Sequence, residues 1–310
     1  MRNYFANSLY NKIKKNRKII LLSADIGNRL FDKIKKDFPN NFLNCGIAEP
    51  NMITFATGMA REGFVPVCYT ITNFLIYKSI EQIRNDAIYN NNKIILVGTG
   101  SGISYNHLGP THHSLEDIGL LNNLPNIKIF SPADNNDLEE HLKHVFKNKN
   151  YQTAYLRIGK KGEPIINKTR AIINTINKVS TVNSKIALVF TGPLFDLIKE
   201  AQQKLKQKNI NLDILNLHQV KPFNNNMINS LLKYNIIYTV EEHFPETGIK
   251  GIISSKLSGK KIIIKSINNK NEFISHLGSR KYVRKKFGIS SGRIYKIIID
   301  DSIKNRNRLG

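Results

Sequence analysis

The chain has 310 residues, with 47 Lys and Arg against 23 Asp and Glu, a formal charge of +24. That length holds two domains and a sizeable core. The charge is spread evenly, without a run of five like charges or any aromatic–basic interleaving. It therefore reads as a compositional bias rather than a nucleic-acid module, though it suits phosphorylated substrates.

The opening Met1-Arg2-Asn3-Tyr4 has no apolar signal region, and runs such as Ile186–Phe190 are far too short to span a membrane. A cytoplasmic protein with no membrane contact is expected. Apolar strand-like runs follow at Ile19–Leu22, Phe42–Leu43, Val65–Tyr69, Ile94–Val97, Ile127–Phe130 and Thr153–Leu156. Helical patterns lie between them at Met52–Arg61, Leu75–Tyr89 and Asn135–Phe146. This alternation predicts a mainly parallel sheet covered on both faces. Cys45 and Cys68 are expected to be buried strand thiols rather than a disulfide or a metal pair. The segment Lys160–Ser184, rich in Lys, Asn and Thr, reads as a linker or hairpin, with the linker proper at residues 166–184. A second series then has strands at Ile186–Phe190, Leu212–Leu215, Ile236–Val240 and Ile262–Ile264, with helices near Leu194–Leu205, Met227–Leu232 and Ile249–Leu257. The expected fold is α/β, with two doubly wound domains at residues 1–165 and 185–310.

Four segments carry chemistry. Asn44-Cys45-Gly46-Ile47-Ala48-Glu49-Pro50-Asn51-Met52 runs from a strand through a Gly turn to a carboxylate at a helix threshold. In isolation such an acid complements the helix dipole. About 25 residues later comes Thr72-Asn73-Phe74-Leu75, in which Phe74 is either core or a stacking face. Gly98-Thr99-Gly100-Ser101-Gly102 leads through His107 and Leu108 to Gly109-Pro110-Thr111-His112. It has neither a Lys-Ser/Thr ending nor a clean Gly-x-Gly-x-x-Gly, so it is a weak nucleotide signal. Tyr155-Leu156-Arg157-Ile158-Gly159 closes the first series.

In this order the segments resemble the pyrimidine-binding half of the transketolase family. That family includes deoxyxylulose-phosphate synthases and the β-type subunits of 2-oxoacid dehydrogenases, and Val240-Glu241-Glu242-His243 resembles its C-terminal domain. The resemblance implies thiamine diphosphate as cofactor, activated by a carboxyl group on the pyrimidine N1′. It places Glu49 in that role and Phe74 on the pyrimidine face, with Tyr77 as the alternative. Asp25, in Ser23-Ala24-Asp25, is a cofactor neighbour. His112 handles substrate oxygens, with His107 as a further candidate, and Arg157 anchors a substrate phosphate, or is otherwise a strand-end surface residue. Leu108 stands where the family carries a hydroxyl-reading Asp, which puts ordinary sugar-phosphate exchange in question.

The family's Gly-Asp-Gly for Mg²⁺ and diphosphate is absent from the chain. The resemblance thus implies the C-terminal subunit of a split transketolase, transferring a two-carbon ketol unit from a ketose to an aldehyde. A separate diphosphate-binding subunit would hold Mg²⁺, and the whole would form a heterotetramer. The alternatives are decarboxylating ligation, an oxoacid-dehydrogenase β-type subunit, and a catalytically silent scaffold.

Overall fold

In the computed structural model the described residues are 1–147, 153–160, 163–166, 170–268 and 270–306. The first domain opens with α1 (Arg2–Lys15), β1 (Ile19–Ser23), α2 (Asp32–Asp37), β2 (Phe42–Asn44), α3 (Glu49–Arg61) and β3 (Val65–Ile71). It continues with α4 (Thr72–Tyr77), α5 (Ile80–Gln82), β4 (Ile94–Thr99), α6 (Asp117–Asn122), β5 (Ile127–Phe130), α7 (Asn135–Lys147) and β6 (Thr153–Ile158). The remainder runs β7 (Asn177–Ser180), β8 (Ile186–Phe190), α8 (Phe195–Lys206), β9 (Asp213–Asn216), β10 (Gln219–Lys221), α9 (Asn225–Leu231), β11 (Ile236–Val240), α10 (Ile249–Lys256), β12 (Ile263–Ser266), α11 (Arg280–Lys286) and α12 (Ser291–Arg306).

Among the described residues the strands form two sheets, ordered β10-β5-β6-β4-β3-β1-β2 and β12-β11-β8-β9-β7. Pairing is parallel except at β10 with β5 and at β7 with β9. The expected pair of α/β domains is therefore observed. β1, β4 and β6 are buried along their whole length, as strands covered by helices on both faces must be. Helix α7 turns Leu138, His141, Leu142 and Val145 inward, spaced as a helical stripe requires.

Three expectations change. Residues 177–180 of the expected linker form β7 on the edge of the second sheet, while residues 167–169 of that segment lie outside the described residues. The helix expected over 75–89 breaks at Lys78 and Ser79 and resumes as α5 and a π-helical turn, Ile83–Tyr89. The wider turn keeps Ile83, Ala87 and Ile88 buried. Cys45 lies just past β2 and is half-buried, whereas Cys68 is buried in β3; both are free thiols. Among the described residues no helix is long and apolar enough to cross a membrane.

The two domains are interlocked. β10 comes from the second half of the chain, yet it pairs with β5 of the first sheet. Beside it, His141 of α7 and His218 share a ring hydrogen bond of 2.8 Å. A buried charge cluster adds a second lock. Glu242 lies just past β11 and receives Arg280 and Arg284 of α11, and its Oε2 accepts the Ile103 N–H at 3.1 Å. Gly102 has φ +61° and packs so close to Glu242 that an added Cβ would lie 2.3 Å from Oε2. Burial alone would raise the Glu242 carboxyl, but the two guanidinium groups hold it down at about 2, against an ordinary 4.5. A depressed carboxyl contributes stability above pH 4.5 and loses it as the pH falls toward 2. The expected loss by pH 3 is about 2 kcal/mol. Urea midpoints measured from neutral pH down to about pH 3 check this, and Glu242→Gln is expected to flatten the acid limb. An acid limb unchanged by that substitution would assign the loss to other carboxylates.

Candidate active site

Three of the four chemistry-bearing segments leave the carboxyl ends of parallel strands, where open α/β sheets form their clefts. Asp25 follows β1, Glu49 follows β2, Phe74 follows β3, and His112 lies in the long loop after β4. The turn before Glu49 is held by Asn44, whose Oδ1 accepts the N–H groups of Asp25 and Gly46, both at 3.0 Å. Its Nδ2 donates to Asp25 Oδ1 at 3.1 Å. Asp25 is thus an exposed brace of the loop that carries Glu49.

Glu49 is the first residue of α3 and is 1% exposed. Pro50, at the start of the helix, gives up no intrahelical hydrogen bond. The Glu49 carboxylate is paired with the Lys78 ammonium. Phe74, in α4, is half-buried and meets the His112 ring edge-on at 5.0 Å. α4 is tied to the His112 loop, because Asn73 Nδ2 donates to Thr111 O. His112 Nδ1 lies 3.0 Å from Thr111 Oγ1, and Tyr105 stands 5.9 Å from the His112 ring. Partial burial and then the Lys160 ammonium lower the His112 imidazole, favouring the neutral ring that can accept a proton. Phe74 and His112 thus meet directly, and Glu49 is linked to them through Lys78, whose ammonium lies 5.8 Å from the centre of the Phe74 ring.

Other expected residues fall elsewhere. The Tyr77 hydroxyl donates to Glu116 and accepts the Glu116 N–H at 3.2 Å, so Tyr77 braces the loop before α6. His107 and Leu108 are exposed at the tip of the loop after β4.

Arg157 is a clear correction. It is 2% exposed, and its Nε donates to Asp117 Oδ2 at 2.7 Å. Its Nη2 donates to the carbonyls of Ser114 and Glu242 at 2.9 and 3.0 Å. Such a residue staples the domains and does not present a fork to a substrate. Because β6 runs on to Ile158, Arg157 lies inside the sheet rather than past its end.

A cation that does reach the cleft is Lys160, just beyond β6. Its ammonium lies 4.2 Å from the centre of the Tyr105 ring, close enough to perturb His112. Lys78 and Lys160 are the site residues that sequence reasoning overlooks. The available signals are position: Lys78 is one helical turn after Phe74, and Lys160 lies just beyond the closing strand. If Lys160 binds a substrate phosphate, Lys160→Ala is expected to raise KM for phosphorylated substrates roughly tenfold to a hundredfold. Dephosphorylated analogues would scarcely change. Equal KM changes for paired substrates would remove Lys160 from that role.

Residues 1–162 match the transketolase pyrimidine-binding domain, and residues 175–294 match the transketolase C-terminal domain. The chain belongs to the transketolase family. Among its relatives is one subunit of the apulose-4-phosphate transketolase of Actinobacillus succinogenes, 31% identical over 85% of this chain and 86% of that protein. The 1-deoxy-D-xylulose-5-phosphate synthase of Methylacidiphilum infernorum is 27% identical over 92% of this chain, which spans 46% of that longer enzyme. In fold, a split-gene transketolase solved as an inactive β4 tetramer matches with a TM-score of 0.84 at 23% identity, covering 96% of this chain and 97% of that one.

The family implies thiamine diphosphate. The transketolase-like residues here fit its pyrimidine half: a buried carboxylate fixed at a helix start, and a half-buried aromatic ring that shares the Lys78 ammonium with it. Among the described residues no group of three or more His, Cys, Asp or Glu side chains is placed to hold a metal ion.

Proposed function

We propose that this chain is the pyrimidine-binding subunit of a heteromeric, thiamine-diphosphate-dependent transketolase. It would move a two-carbon ketol unit from a ketose, phosphorylated in keeping with Lys160, to an aldehyde acceptor. The observation that carries the reading is Glu49, buried at the head of α3 and joined through Lys78 to Phe74, which in turn meets His112. The near end-to-end match to one subunit of an apulose-4-phosphate transketolase supports a chain that works with a partner. The diphosphate and Mg²⁺ would be held mainly by the partner, because this chain lacks Gly-Asp-Gly.

When bound, the cofactor would supply a nucleophilic carbon for chemistry at the donor carbonyl. The rest falls to the protein. Glu49, fixed by α3 and screened from water, engages the pyrimidine nitrogen through its carboxyl group. Phe74 offers a face that fixes the plane of the ring. His112, held through Thr111 and kept neutral, accepts or returns a proton at a substrate oxygen. Lys160 attracts the anionic end of the substrate.

Decarboxylating ligation would use the same Glu49 and Phe74 and differ in its donor. Donor screening of the assembled complex separates the two reactions. Calorimetry tests the assignment to a split enzyme: the chain alone is expected to bind thiamine diphosphate and Mg²⁺ negligibly, and the complex with a diphosphate-binding partner to bind them tightly. Micromolar binding by the chain alone would overturn the assignment.

A further inference from the structure

Lys78 is the residue of the cleft whose position has the least obvious purpose. It follows α4 at the helix break, and its side chain is 43% exposed. Its ammonium turns inward onto Oε2 of Glu49, whose side chain is only 2% exposed. The same ammonium lies 5.8 Å from the centre of the Phe74 ring, within cation–π range. Lys78 therefore touches the acid and approaches the aromatic face together. A ring that hydrogen-bonds Glu49 and lies against Phe74 needs those same two surfaces.

We propose that Lys78 is an internal stand-in for the cofactor's pyrimidine. It pairs with Glu49 in the cofactor-free chain and must swing out for the ring to enter, so it sets cofactor affinity as a positioning residue. The inference rests on the reading of Glu49 and Phe74 as the pyrimidine seat.

The chemistry supports both halves of the exchange. A carboxylate left buried without a partner is strongly destabilising, and among the described residues Lys78 is the cation paired with Glu49. A lysine suits a removable partner. It makes a point contact rather than a bidentate fork, and its long stem is already half in solvent, so the ammonium can return to water by bond rotation alone. Once it leaves, the positive end of α3 still faces the acid. The break in the helix after Tyr77 frees Lys78 from a continuous helical register.

The test uses Lys78→Met, which keeps the stem and removes the charge. In the complex with the diphosphate-binding partner, calorimetric titration with thiamine diphosphate and Mg²⁺ is expected to give a dissociation constant about tenfold lower for Lys78→Met. That is the factor released if the pair is closed about nine-tenths of the time. In the chain alone, Lys78→Met is expected to lower the melting temperature. Adding Glu49→Gln is expected to restore it, since no buried charge then lacks a partner. A lysine with a merely structural role would not tighten cofactor binding. Unchanged or weaker binding by Lys78→Met, with normal binding by the wild type, overturns the proposal. No binding by the wild-type complex overturns the reading of the seat, and the proposal with it. Should Lys78→Met fail to fold, the double variant decides. Folding of the double variant supports the pairing, and its failure assigns Lys78 to the scaffold and overturns the proposal.

Discussion

Glu49→Gln is expected to slow hydrogen–deuterium exchange at C2 of the cofactor by at least ~10²-fold in the assembled complex, the scale of losing a positioned acid–base group. The amide matches the carboxyl in shape, so α3 and its Pro50 start should persist. It cannot take part in proton exchange with the pyrimidine nitrogen. The cost to stability should be small, because Lys78, left without its anion, is 43% exposed and can turn to solvent. Thermal melting and exchange should thus separate, with exchange collapsing while the melting temperature stays within a few degrees. Unchanged exchange would return Glu49 to the lesser task of complementing the α3 dipole.

The second large effect concerns stability. Arg157→Met should cost about 3–5 kcal/mol, the range for removing one partner of a buried ion pair. The Asp117 side chain is fully buried, and its Oδ1 has no hydrogen-bond partner. Without the guanidinium it would keep the Tyr155 hydroxyl at 2.7 Å and little else. The Ser114 and Glu242 carbonyls would lose their shared donor as well, loosening the first domain from the second. Urea denaturation measures the loss directly. A variant of native stability whose KM rises only for phosphorylated substrates would restore Arg157 as the anchor and displace Lys160.

The framework of the fold is legible because its central strands are covered on both faces. Ile19–Ser23 and Ile94–Thr99 therefore read as unbroken apolar runs. Helix α1 is harder to read. It has no side-chain cap and no acid in its first turn, and its buried Phe5, Leu9 and Ile13 are diluted by Asn and Lys. Strands β7 and β10 are short and draw their identity from distant partners, β9 and β5, which no local window contains. Within the cleft, Glu49, Phe74 and His112 stand out through the family resemblance of the segments that carry them, each of which follows a strand. Lys78 and Lys160 do not, since their contribution depends on where a long flexible stem points. Arg157 is misread through a strand end: the continuation of β6 to Ile158 moves it from the rim to the interior.

The crossing of β10 into the first sheet bears on how the chain can be divided. Cutting between the two matched regions would strip β5 of its antiparallel neighbour and expose unpaired N–H and C=O groups along Ile129 and Phe130. Open edges of that kind recruit strands from other molecules. A truncated first half would therefore tend to self-associate instead of surviving as a monomeric module. Melting should be a single cooperative event, and shuffling these domains between relatives would require carrying Gln219–Lys221 along with the first domain.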